Sequence, residues 1–134
     1  MSSYEAHNAI SQRISEIPFP IRWVNAAVEP AQDDEYIDAL ILPLSVRAPF
    51  VSETSQRTIA GLIELNCYTV KGIGMGRAFE VADIAGSYFA RDHMITIPSG
   101  IIRFPVGAVP LAPRVATSAG RAAITVHIRY EVTM

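Results

Sequence analysis

Ala122-Ala123-Ile124-Thr125-Val126-His127-Ile128-Arg129-Tyr130-Glu131-Val132 alternates apolar and polar side chains almost without a break. Ile124, Val126, Ile128, Tyr130 and Val132 fall on one side of an extended chain, and Thr125, His127, Arg129 and Glu131 on the other. Successive side chains of a strand point to opposite faces, so this period of two predicts a long strand with one buried face. Residues 60–70 repeat the pattern, with Ile63, Leu65 and Cys67 set against Glu64 and Asn66. Between these two strands the period changes. Ala78, Val81, Ala82, Ala85 and Phe89 recur at three and four residues and predict a helix over about residues 77–91 with one apolar stripe. Gly86 inside that stripe costs about 1 kcal/mol relative to Ala, which points to close packing there.

Further out the elements are shorter. Residues 94–98 and 101–104 read as a hairpin turned at Ser99-Gly100. Residues 106–120, rich in Pro, Gly and Ala, read as an irregular or extended connection. Towards the N-terminus, Ser2-Ser3-Tyr4-Glu5 has capping-box spacing. Ala6, Ile10, Ile14 and Ile17 follow on one helical face, and Pro18 and Pro20 stop the helix, giving a span of about residues 3–16. Ile21-Arg22-Trp23-Val24 is short and extended, residues 25–34 form a loop, and residues 36–44 form a buried strand whose one charge is Asp38. Trp23, the sole Trp, is placed in the core. Residues 45–58 carry Arg47, Pro49, Glu53 and Arg57 without periodicity and read as a long loop. Such loops are uncommon in compact domains and often functional, so Arg47, Glu53 and Arg57 are the candidate assembly contacts. The order helix, strands, helix, strands defines an α+β fold: a mostly antiparallel sheet with two helices packed on one face, in one domain spanning residues 1–134.

Composition narrows the function. Half the 134 residues are apolar and 18% charged, as in a folded globular chain. The formal net charge of −2 provides no broad attraction to nucleic acid. Apart from Lys71 every basic residue is Arg, the side chain better suited to planar, bidentate contacts at protein interfaces. No stretch approaches the ~20 continuous apolar residues of a membrane helix, and no signal peptide is legible, so a cytoplasmic site of synthesis and assembly is expected.

Catalytic and ligand-binding patterns fail on spacing. His7, His93 and His127 lie on different elements without a ligand partner at three or four residues, so no metal is expected. Asp33-Asp34-Glu35 lacks the alternating oxygens and central glycine of a calcium loop. Cys67 sits on the core face of its strand, where a thiol is inert. No Ser occupies a nucleophile elbow, and Glu80 and Asp83 lie opposite the apolar stripe of their helix. Gly72-Ile73-Gly74-Met75-Gly76 precedes a helix, as phosphate-binding turns do, but Gly76 is followed by Arg77-Ala78, and the spacing misses the dinucleotide pattern. No cofactor and no enzyme activity are therefore expected; a small phosphate-binding module is the remaining ligand-binding alternative.

Taken together, the short N-terminal helix, Ile21-Arg22-Trp23-Val24-Asn25 with Pro30 after it, the Tyr36-Ile37 strand, Gly61-Leu62-Ile63-Glu64-Leu65, the Gly72–Gly76 turn and the helix with Ala82-Asp83-Ile84-Ala85 and Phe89 resemble one family. It is the tail-terminator-like proteins of long-tailed phages and prophages, several of them catalogued as a phage domain of unknown function. Val24 departs from the family pattern, which has Pro or another small residue before the Asn. The resemblance implies an α+β fold that assembles as a homohexameric ring on the finished tail tube, ends tube polymerisation and presents a surface to head-completion proteins. It also implies partners (the chain itself, the tail tube protein, a head-completion or connector protein) and a place in the virion tail, with no catalytic residues. A tail-tube or head–tail connector subunit shares the same small α+β character.

Overall fold

The computed structural model describes residues 2–23, 35–47, 58–69, 75–111, 114–116 and 121–133. Two helices, α1 (Ser2–Ser15) and α2 (Met75–Gly86), accompany eight strands: β1 (Ile21–Trp23), β2 (Tyr36–Arg47), β3 (Thr58–Tyr68), β4 (Met94–Ile97), β5 (Gly100–Arg103), β6 (Ala108–Pro110), β7 (Arg114–Ala116) and β8 (Arg121–Thr133). The strands form one sheet in the order β1-β2-β3-β8-β5-β4, with β6 and β7 also paired to β8. Only β1 with β2 is parallel; the other pairs are antiparallel. The expected α+β class, with both helices on one face of the sheet, is what the chain adopts.

The alternating stretch is β8, and its apolar side is buried as its period requires: Ile124, Ile128 and Val132 are fully enclosed, Val126 and Tyr130 nearly so. On β3, Ile63, Leu65 and Cys67 are equally enclosed and lie opposite Ile128, Val126 and Ile124. The stripes of α1 (Ala6, Ile10, Ile14) and α2 (Ala78, Val81, Ala82, Ala85) close over this face, with Ile17 and Phe89 just beyond the two helices, and all join one cluster. Burying each large aliphatic side chain contributes about 1.5–3 kcal/mol, so these residues dominate the stability of the fold. Phe89 closes the cluster from a short 3₁₀ turn after α2 and meets Phe104 edge to face, ring centroids 5.2 Å apart. Arg13 holds α1 to that turn by donating to the Tyr88 carbonyl at 2.9 Å while lying over the Tyr88 ring. The close packing expected at Gly86 is present: a Cβ there would meet the Ala108 Cβ at 2.9 Å.

Several sequence expectations need correction. The hairpin turns at Pro98-Ser99, one residue earlier than read, because Gly100 already pairs with Ile97. Glu5, assigned to a capping box, accepts from the Ser99 hydroxyl at 2.6 Å and the Ser99 amide, fastening α1 to that turn. Residues 45–47 and 58, read as part of a long loop, are strand: Ser45, Val46 and Arg47 pair with Ala60, Ile59 and Thr58. A register shift between Pro43 and Ser45 hides the continuation, since the alternation slips where Pro43 lacks an amide to donate. Met75 and Gly76 belong to α2 and not to the preceding turn.

The largest correction concerns residues 106–120. Instead of an unpaired connection, β6 and β7 continue along β8 where β5 leaves off. The pairing slips by two residues between β5 and β6 and by one more between β6 and β7, so the three behave as one edge strand interrupted by bulges. Gly107 sits in the first interruption at φ 78°, a conformation that favours glycine, and a Cβ there would meet the Arg91 amide nitrogen at 2.8 Å. Pro110 is tolerated because this strand lies at the edge of the sheet.

Gly61 lies directly opposite Tyr130, whose ring covers the space a Cβ would need. Gly61→Ala is therefore expected to lower unfolding stability by about 1–3 kcal/mol, the usual effect of overpacking. In a Tyr130→Leu background the same change should lower it by less than half as much; chemical denaturation of the four proteins checks this.

A candidate assembly surface

Both helices cover one face of the sheet, which leaves the other face bare among the described residues. The polar register positions line up there. Arg22 on β1 donates to both carboxylate oxygens of Asp38 on β2, at 2.6 and 2.7 Å, and lies over the Tyr36 ring. Tyr36 stacks on Tyr68 with centroids 4.8 Å apart. The Thr125 hydroxyl donates to the Asn66 side-chain carbonyl. This end of the bare face is thus knitted together by its own side chains.

The opposite end differs. Leu42 and Leu62 are opposite one another and only half-buried. Beyond β8, Val106, Val109 and Leu111 expose 52%, 41% and 41% of their surface. Leu62, Val106, Gly107, Val109, His127 and Arg129 line a hollow of about 300 Å³. Contiguous exposed apolar surface rimmed by polar groups marks an interaction site, whereas a single exposed Leu does not. A second apolar patch lies on the outward side of α2, where Phe79 and Ile84 are 45% and 38% exposed beside Glu80 and Asp83. Arg77 on the same helix is engaged with Glu35 at 2.6 Å and Glu80 at 2.8 Å, and these partners, Glu35 first, raise its pKa. A hollow of about 480 Å³ runs along the polar side of α1, between Ser11, Ser15 and Trp23. Trp23 is half-buried, packed on the core by one side and lining this hollow with the other.

The residues singled out from the sequence are not gathered into one place. Arg47 ends β2, paired with Thr58, while Glu53, Arg57 and the glycines Gly72 and Gly74 lie outside the described residues. The apolar surface around Val106 and Val109 was missed, because those residues were read as connection. Its signal was available in part: a strand as long as β8 needs a partner on each edge. Among the described residues no three His, Cys, Asp or Glu side chains converge as metal ligands, and no helix is long and apolar enough to cross a membrane. His7 lies beside Ser11, His93 stacks on Phe104, and His127 faces the hollow on the bare face.

No family model matches the chain, and no curated protein matches it. Solved structures do. One, which carries no functional description, superposes with a TM-score of 0.78 at 18% identity, covering 100% of this chain and 97% of that chain. Another is a chain from the virion of a native gene transfer agent (GTA) particle, with a TM-score of 0.63 at 13% identity, covering 98% of this chain and 97% of that one. At these identities the likeness is one of fold: an α+β architecture shared from end to end with a component of a virion.

Burial pushes the Cys67 thiol up to about 12. At pH 8 the folded protein should leave Cys67 unmodified by a thiol reagent that labels the denatured chain at once. Because the folded value lies above the ordinary 9.0, this group supports folding below pH 9 and ceases to as pH rises towards 12. Unfolding followed between pH 8 and 11, with Cys67→Ala for comparison, checks the sign.

Proposed function

We propose that this chain is a structural virion protein that caps a phage tail tube as a ring, ending tube polymerisation and offering a surface for head–tail joining. The observation that carries the reading is the end-to-end sharing of this fold with a chain of the GTA virion. The family resemblance of the sequence supports the finer role, and the exposed apolar surfaces on α2 and beside β8 supply what a subunit needs to bind others. On this reading residues 1–134 act as one unit, no cofactor or metal takes part, and the chain is not an enzyme. Its partners are further copies of itself, as a homohexamer, together with the tail tube protein and a head-completion or connector protein. It is made in the host cytoplasm and ends in the virion tail.

A ring forms when a contact between unlike surfaces closes after a fixed rotation, and a tube forms when it does not. A terminator must do the first while seated on a structure that has done the second. Arg47, Glu53 and Arg57 are proposed as assembly contacts, since the segment holding them joins the two longest neighbouring strands at one end of the sheet.

A concentrated solution of the protein, alone and with tail tubes, should show closed rings by electron microscopy and no long polymers. Long polymers would identify a tube subunit instead. Phage deprived of the protein should build overlong tails; normal tails without heads would identify a connector. Arg57→Glu should weaken assembly and leave the thermal unfolding midpoint of the monomer unchanged.

A further inference from the structure

The two exposed apolar patches differ in charge, and the difference is complementary. On the bare face of the sheet each acidic residue near the hollow has a basic or imidazole neighbour directly across: Glu64 faces His127, and Glu131 faces Arg103. Arg129 does not. Its cross-strand neighbours include Leu62, and no carboxylate lines the hollow with it. On α2, Glu80 is engaged by Arg77, whereas Asp83 is exposed and forms no ion pair among the described residues. Asp83 follows Phe79 by one helical turn, and Ile84 follows Glu80 likewise, so the carboxylate stands within an apolar surface. One patch is therefore apolar with an uncompensated cation, the other apolar with an uncompensated anion. They lie on opposite faces of the sheet, α2 on the covered face and Arg129 on the bare one.

We infer that the outward side of α2 in one copy packs on the hollow beside β8 in the next, with Asp83 of one copy meeting Arg129 of the other and Phe79 and Ile84 covering Val109 and Leu62. The occupant is a second copy because this chain itself carries the matching surface, in both shape class and charge. Juxtaposing unlike surfaces leaves each copy with one free patch of each kind, so the contact propagates from copy to copy. Complementary charge sets the register of the contact, and burial of the aromatic and aliphatic side chains supplies its affinity. This deepens the ring assembly proposed above and rests on it.

Cysteine cross-linking tests the contact directly, since Cys67 is buried. Phe79→Cys and Val109→Cys, each alone with a short bis-maleimide, should give no covalent dimer, whereas their mixture should. The double variant should yield covalent species longer than two chains. Dimers from either single variant, no product from the mixture, or a double variant that stops at dimers would each overturn the contact. Asp83→Arg and Arg129→Asp should separately lower the cross-linking yield at least about tenfold, and mixing the two charge-reversed chains should restore it. Circular dichroism of each variant separates lost contact from lost folding. Rings that survive in the micrographs while the cross-links fail would reject these surfaces and keep the ring; a chain that forms no rings on tubes would reject the ring itself.

Discussion

Every residue of β3 has a partner on β8, and along this seam Ile63, Leu65 and Cys67 lie beside Ile128, Val126 and Ile124 on the covered face. The rest of the structure depends on that seam. Moving the register by one residue would turn the whole apolar set of one strand to the bare face, so the buried alternation locks the pairing. Once it is locked, both helices have one place to bury their stripes. Gly61 has to accept the Tyr130 ring, and β2 is aligned on the far side through its own pairing with β3.

β8 also has a second edge, and it is longer than any single strand the chain provides. The chain resolves this by laying β5, β6 and β7 along it in turn, with bulges where the pairing slips. Bulges bend and twist an edge and make it a poor template for adding a further strand. They also thrust Val106 and Val109 outward, so the device that protects the edge creates an apolar surface beside it. Growth by strand addition is discouraged there, while packing of side chains on the face is left open. For a protein proposed to form closed rings and not fibrils, that combination is physically apt.

The polar interactions are arranged around the same division. Arg13, Arg22 and Arg77 each bind a carbonyl or carboxylate and lie over an aromatic ring, using both the donor geometry and the flat face of the guanidinium. Lys provides neither, which gives the preference for Arg a structural use within the fold itself. Arg13 joins α1 to the turn after α2, Arg22 joins β1 to β2, and Arg77 joins α2 to the segment before β2. Arg129 stands apart from these, and it does so at the edge of the apolar hollow.

What the sequence determined by itself was whatever a local period can encode. The two helices, β3, β8 and their buried faces follow from spacings of two and of three to four residues, and the absence of motif spacings for chemistry is equally local. Ser45, Val46 and Arg47 were illegible because the alternation breaks at Pro43, and β6 and β7 because strands of three residues are shorter than any period can show. Only the tertiary structure decided those, since a strand of three residues exists by virtue of the edge it pairs with. The candidate surface follows the same rule. Leu62, Val109 and Arg129 come from three strands separated in the chain, and only the register of the sheet brings them to one hollow.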